Sequence, residues 1–167
     1  ISNNGMTKPA FKRFENNKYI PWDVYDYGFK ANLSDINASI LEEQVINYTK
    51  TAKIKKKIFN NYKQALSSIK QISLPIENKN KNRDYYLFPI GVKSNIRNKL
   101  ISFLLENKIF VTVNFRSITD LSYYKKKYKV FGCKESKKWG EETLSLPFHS
   151  KITKNEIKIV SKKIQEF

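Results

Sequence analysis

The sequence predicts an α/β domain: a small sheet with helices packed on one side, preceded by a long helix. Three observations predict it. Apolar residues recur at helical spacing over residues 35–69. Two later runs, YYLFPIGV (85–92) and IFVTVNF (109–115), are rich in β-branched and aromatic residues, as buried strands are. Helix-start residues stand at Ser34, Ser94 and Thr153, so helices and strands alternate along the chain.

Residues 1–33 read as an irregular arm punctuated by Gly5, Pro9, Pro21 and Gly28. Ser34 then stands where an N-cap belongs, and Asp35 complements the helix dipole. Ile36, Ile40, Leu41, Val45 and Tyr48, then Ile58, Phe59, Tyr62, Leu66 and Ile69, continue one apolar pattern, so 34–71 is expected to form a long helix or a helix pair. Unbroken over 35–69, it would run about 50 Å, longer than one small core covers. A break near Tyr48–Thr49, or a span across two domains, is therefore expected.

Residues 72–167 read as the α/β domain proper. QISLPI (71–76) is a short strand and NKNKNR (78–83) a polar loop. YYLFPIGV is a buried strand whose Pro89 implies an edge or a bulge. Ser94 is expected to cap a helix that buries Ile96, Leu100, Phe103 and Leu104. IFVTVNF is expected to be the strongest strand of the chain. A lysine-rich helix or turn covers Ser122–Tyr128, and a short helix Glu135–Glu142. TLSLPF is a strand ended by Pro147. Thr153 and Glu156 have the spacing of a capping box, opening a last helix that buries Ile157, Val160 and Ile164.

Composition excludes several functions. With 167 residues, 40% of them hydrophobic, the chain can fold around one core of ordinary size. One Cys (Cys133) and one His (His149) rule out a disulfide framework and argue against a zinc site. No apolar run reaches the roughly 18 residues of a membrane span, and no signal peptide is evident, so a cytoplasmic setting without membrane attachment is expected. The net charge of +17 raises a basic nucleic-acid-binding domain as an alternative. Yet 28 of the 32 basic residues are Lys and only 4 are Arg, alongside 17 Asn and 19 Ile. That is the signature of A/T-rich coding, and Arg, the residue of bidentate phosphate and base recognition, is scarce. The dense clusters Lys53–Lys57 and Lys125–Lys129 also interleave with other residues as a solvated helix face does.

Five segments occur in a telling order: NNGMTKPAFKRF, YGFKANLSDINASILEEQ, YYLFPIGV, VTVNFRS followed by YYKKKY, and TLSLPFHSKITKNEI. Together they resemble the C-terminal portion of the DegT/DnrJ/StrS family of pyridoxal-phosphate-dependent sugar aminotransferases. The branch most similar makes 4-amino-sugars such as 4-amino-4-deoxy-L-arabinose. The resemblance implies the C-terminal small domain of a fold-type-I aminotransferase, with residues 1–33 forming an arm from the end of the cofactor domain. It implies a homodimer that aminates a nucleotide-linked keto-sugar, for surface polysaccharide or amino-sugar synthesis. The amino donor would be an amino acid, glutamate in the expected case, and the cofactor pyridoxal 5'-phosphate.

The resemblance also assigns residues. Asn32 corresponds to an amide that binds the cofactor phosphate of the partner subunit, with Lys30 beside it. Asn114, Phe115 and Arg116 lie where the family places the sugar-nucleotide; Arg116 would hold a phosphate or a carboxylate, and Phe115 would wall the sugar. Relatives usually carry His or Tyr near position 114, so Asn114 departs from the pattern. Tyr27 stands at the substrate mouth. Without the resemblance, Lys30 and Asn32 read as polar residues of a pre-helix turn, Arg116 as a strand-end cation and Tyr27 as packing. The lysine that holds the cofactor covalently lies, in the family, upstream of the residues matched here. No catalytic residue is therefore expected within this chain, which should be inactive alone. The remaining alternative is a non-catalytic remnant or interaction module of the same fold.

Overall fold

The computed structural model describes residues 14–15, 18–19, 21, 23–24, 26–76, 84–128 and 133–167. Two compact units are distinguished, residues 1–48 and 49–167. The polar loop expected at 78–83 lies outside the described residues.

In the first unit, β1 (Phe14–Glu15) and β2 (Lys18–Tyr19) form a short antiparallel ladder, with Phe14 opposite Tyr19 and Glu15 opposite Lys18. The arm is thus not wholly irregular. Helix α1 (Asp35–Ile46) begins as expected: Ser34 is extended, and its Oγ accepts a hydrogen bond from the Asn37 N–H at 3.3 Å. The helix ends at Asn47. There the backbone N–H and the side-chain amide both donate to the Glu43 carbonyl, at 3.1 and 3.0 Å. Asparagine competes with the helix for its own backbone groups, which divides the long apolar pattern here. No residue of α1 is buried: Ile36, Ile40, Leu41 and Val45 are all exposed within the chain.

The second unit carries the core. Helix α2 (Tyr48–Leu66) buries Ile58, Phe59, Tyr62 and Leu66, a spacing that keeps them on one face. They pack with strands β4 (Phe88–Val92) and β5 (Thr143–Leu146) and with helices α3 (Ser94–Glu106) and α6 (Lys154–Glu166). With β3 (Ile72–Ser73) the strands make one antiparallel sheet of order β3-β4-β5. Phe88, Ile90, Leu144 and Leu146 share one face through the register Phe88↔Leu146 and Ile90↔Leu144, and all four belong to the core. Tyr62 donates its hydroxyl to the Pro147 carbonyl at 2.9 Å, and burial pushes that hydroxyl well above the usual tyrosine range.

Three expectations are corrected. Residues 109–115 do not form a strand; among the described residues they contribute one antiparallel bridge, Thr112 with Ser145. Phe110 and Phe115 are 74% and 65% exposed, so only one side of this segment meets the core. Pro89, for its part, is on neither an edge strand nor a bulge but inside the middle strand. Ser145, its partner across β5, turns both its N–H and its C=O to Thr112, and β3 stops opposite Gly91. No ladder position therefore asks Pro89 for the donor it lacks. Ser94 is the first residue of α3 rather than its cap; Lys93 occupies the cap without a side-chain hydrogen bond.

The end of α3 stores a local cost. Lys108 has φ 60°, the left-handed region. Its N–H donates to the Leu105 carbonyl at 2.9 Å, and that of Ile109 to Leu104 at 2.8 Å, the pair of bonds that closes a helix and that glycine usually makes. Lys108→Gly is expected to stabilise the chain by roughly 0.5–1 kcal/mol, because the strain of a side chain at positive φ disappears. A chemical-denaturation midpoint no higher than the parent's would contradict this.

Helix α6 opens on the expected capping box. The Glu156 N–H donates to Thr153 Oγ1 at 3.2 Å, and the Thr153 N–H returns a bond to the Glu156 carboxylate at 2.7 Å. That backbone bond, then the one from the Thr153 hydroxyl, holds the Glu156 carboxyl below its usual range. A carboxyl with a lowered folded-state pKa stabilises above its unfolded pKa and loses that contribution as pH falls through the folded value. The chain should therefore lose stability below the reference value of 4.5. Glu156→Gln, which keeps the side-chain acceptor but not the charge, should flatten this acid limb. Parallel pH-dependent thermal melts would show the difference, and identical acid limbs would refute it.

Candidate functional site

The residues singled out by sequence fall into two groups, one in each unit. In the first, the approach to α1 places Tyr27, Lys30 and Asn32 on the surface, Tyr27 being 86% exposed. The Tyr27 N–H donates to Asp26 Oδ1 at 2.8 Å. Asn32 makes no hydrogen bond among the described residues, so both donors of its amide are open. Ser34 occupies one orphan N–H of α1, and the first-turn amides beyond it add partial positive charge beside Asn32. Asp35 opposes this with a carboxylate on the helix itself.

In the second unit, Asn114, Phe115 and Arg116 follow the Thr112 bridge and are all exposed. Of the three, Arg116 lines a cleft of about 380 Å³. The cleft exists because three elements converge. Arg97, in the first turn of α3, donates from Nε to the Glu141 carbonyl at 3.0 Å, tying the start of α3 to the end of α5 (Lys134–Glu142). Gly140 of α5 is buried against the 116–117 backbone: a Cβ there would lie 3.0 Å from the Ser117 nitrogen and 3.3 Å from Arg116 Cα. Glycine is thus what lets α5 come so close. Ser117 is 4% exposed, and its Oγ shares a 2.7 Å hydrogen bond with Thr119 Oγ1 and accepts one from Ser136 Oγ at 3.2 Å.

Charges line the opening. Lys125, on helix α4 (Ser122–Lys127), pairs with Asp120 at 3.3 Å, and Lys137 approaches Glu141 at 3.9 Å. Arg116 has neither a hydrogen-bond nor an ion-pair partner among the described residues. Of the four arginines in the sequence, Arg97 and Arg116 are described, and both line this cleft. The sequence held that signal: in a chain that writes its cations as Lys, each Arg stands out. What it did not show was that Arg97, nineteen positions before Arg116, converges with it, or that Lys137 and Gly140 complete the wall.

Residues 1–165 match the model of the DegT/DnrJ/EryC1/StrS aminotransferase family. The chain belongs to that family. SpsC of Bacillus subtilis, a spore coat polysaccharide biosynthesis protein, is 24% identical over 173 residues, covering 99% of this chain and 44% of SpsC. Among solved structures, the aminotransferase TlmJ of Streptoalloteichus hindustanus superposes with a TM-score of 0.81 at 18% identity, over 99% of this chain and 42% of that one. Spr1654 of Streptococcus pneumoniae, in its PMP form, gives 0.81 at 22% identity over the same shares. This family member therefore spans less than half the length of the relatives it matches, and has the fold of the corresponding part of those structures. Among its described residues, no helix is long and apolar enough to cross a membrane, and no cluster of His, Cys, Asp or Glu is arranged to hold a metal ion.

Proposed function

We propose that this chain is the C-terminal portion of a pyridoxal-phosphate-dependent aminotransferase acting on a nucleotide-linked keto-sugar, in amino-sugar or surface-polysaccharide synthesis. The family match over residues 1–165 carries the reading. The similarity to a polysaccharide biosynthesis protein and to a structure in its PMP form supports the substrate class and the cofactor. The intact protein works as a cytoplasmic homodimer, with an amino acid such as glutamate as donor.

The donor set at the start of α1 fits a phosphate: an open amide on Asn32 and the partial charge of the helix end stand next to the Lys30 cation. In this reading Asn32 donates to the cofactor phosphate of the partner subunit, and Lys30 adds charge nearby. When bound, the cofactor supplies the electron sink through which an amino group passes between donor and keto-sugar. The chain's own part is binding. Arg116 holds an anionic group of substrate or donor, exposed Phe115 walls the sugar and Asn114 hydrogen-bonds it. Tyr27, by the family resemblance, lines a substrate mouth. No residue of this chain carries the covalent chemistry.

The test uses the intact protein with pyridoxal phosphate, glutamate and a nucleotide-linked 4-keto-sugar. Formation of the amino-sugar, read by mass, is the expected result. The 167-residue chain by itself should form none, and borohydride should fix no stoichiometric cofactor on any of its lysines. An intact protein inert toward keto-sugars, or a cofactor fixed to one lysine of this chain, would overturn the reading.

A further inference from the structure

We propose that α5 and β5 act as one clamp that positions the Asn114–Arg116 turn, with Ser136 and Gly140 as its positioning residues. The kinetic consequence rests on the reading of that turn as a substrate contact; the clamp itself follows from geometry.

The two elements form a single piece. α5 ends at Glu142 and β5 begins at Thr143, so no linker separates them. Thr143 locks the junction by donating both its N–H and its hydroxyl to the Trp139 carbonyl, the hydroxyl at 2.7 Å. Buried Leu144 and Leu146 anchor β5 in the core, and Arg97 ties the end of α5 to α3.

This piece grips the turn at both ends. Before it, Thr112 exchanges two backbone hydrogen bonds with Ser145 of β5, at 3.2 and 2.8 Å. After it, Ser117 Oγ accepts from Ser136 of α5 at 3.2 Å and shares a 2.7 Å bond with Thr119. The Ser117 carbonyl is occupied too, accepting from the Asp120 N–H at 3.0 Å. Thr112 and Ser117 are five positions apart, and α5 and β5 supply a partner to each. Between them Asn114, Phe115 and Arg116 are exposed and make no hydrogen bond among the described residues. Their direction is therefore set from the two ends, and a ligand that meets them has little ordering left to impose.

The two positioning residues act differently. Ser136 supplies a hydroxyl, so its loss frees one end of the turn. Gly140 sets a distance: a Cβ there would lie 3.0 Å from the Ser117 nitrogen and 3.3 Å from Arg116 Cα, so a methyl group would push that end away.

The experiment reads order and kinetics separately. In the ¹⁵N-labelled 167-residue chain, relaxation of the Asn114, Phe115 and Arg116 amides reports their order. Ser136→Ala should lower their order parameters toward about 0.6, and Ser136→Thr, which keeps a hydroxyl, should restore them. In the intact protein Ser136→Ala should raise KM for the keto-sugar by about two- to ten-fold, the equivalent of one neutral hydrogen bond, with kcat nearly unchanged. Gly140→Ala should raise it by roughly ten-fold or more, because it displaces the anchor. Ser67→Ala removes a comparable hydroxyl bond at the end of α2 and should alter neither measurement. Ser136 is exposed, so its variants should fold.

Order parameters unchanged in Ser136→Ala, or not restored in Ser136→Thr, would overturn the clamp. A loosened turn with an unchanged keto-sugar KM, where Arg116→Ala does raise that KM, would overturn the positioning role. Should Arg116→Ala itself leave the KM unchanged, the reading of the turn as a substrate contact fails and takes the positioning role with it, while relaxation still decides the clamp.

Discussion

Phe88→Ala is expected to cost the chain about 3–5 kcal/mol, a large part of the roughly 5–15 kcal/mol that holds an ordinary domain together. Phe88 is 0% exposed and stands at the centre of an aromatic cluster. Its ring centroid lies 4.9 Å from Phe59 in an edge-on arrangement, 4.9 Å from Tyr62 in a stacked one, and 6.4 Å from Phe148. Removing it strips α2 and the segment after β5 of the partner they share. The walls of the cavity cannot close, because Tyr62 is held by its hydrogen bond to Pro147 and Phe59 also packs against Tyr85. Denaturant unfolding should show a much lower midpoint with the slope nearly unchanged. Phe110→Ala is the contrast: at 74% exposure its loss should fall within about 0.5 kcal/mol. A loss below about 1 kcal/mol for Phe88→Ala would mean that this cluster is not the centre of the core.

Asn32→Ala in the intact protein is expected to weaken pyridoxal phosphate binding by about 1.5–3 kcal/mol, the range for a hydrogen bond to a charged group. That is on the order of 10- to 100-fold in the dissociation constant. The fold should survive, because Asn32 is exposed and makes no hydrogen bond among the described residues. Ser34→Ala is the control: it removes the bond to the Asn37 N–H, so it should cost about 1 kcal/mol of stability and leave the cofactor constant nearly unchanged.

Mixed dimers then decide which subunit Asn32 serves. One mutation is Asn32→Ala and the other removes the cofactor-holding lysine expected in the upstream portion, with cofactor kept limiting. If Asn32 acts across the dimer, placing the mutations in different chains puts both defects on one site and leaves the other intact. Placing them in the same chain damages both sites. Activity kept only when both mutations share a chain would assign Asn32 to its own subunit.

Several features were legible in the residues because the interactions behind them are local. Thr153 and Glu156 sit three positions apart, and the capping box they form needs nothing beyond that turn. Ser34 and Asn37 repeat the case at α1. The buried face of α2 followed from the spacing of Ile58, Phe59, Tyr62 and Leu66, since helical geometry alone puts them together. The quoted segments, in order, were enough to reveal the family.

Tertiary structure alone decided the rest. IFVTVNF has strong strand composition, yet a strand needs partners, and Ser145 offers this segment a single bridge. Pro89 looked unfit for a middle strand until the register showed that no neighbour requires its N–H. The apolar residues of α1 have helical spacing but no burial within the chain, since period alone does not say what covers a face. The Arg97–Arg116 cleft depends on Gly140 meeting Ser117 and on Arg97 reaching Glu141, contacts between residues 23 and 44 positions apart. A cap is determined within one turn of chain, whereas strand pairing and a cleft depend on which distant segments pack together, and no local pattern carries that information.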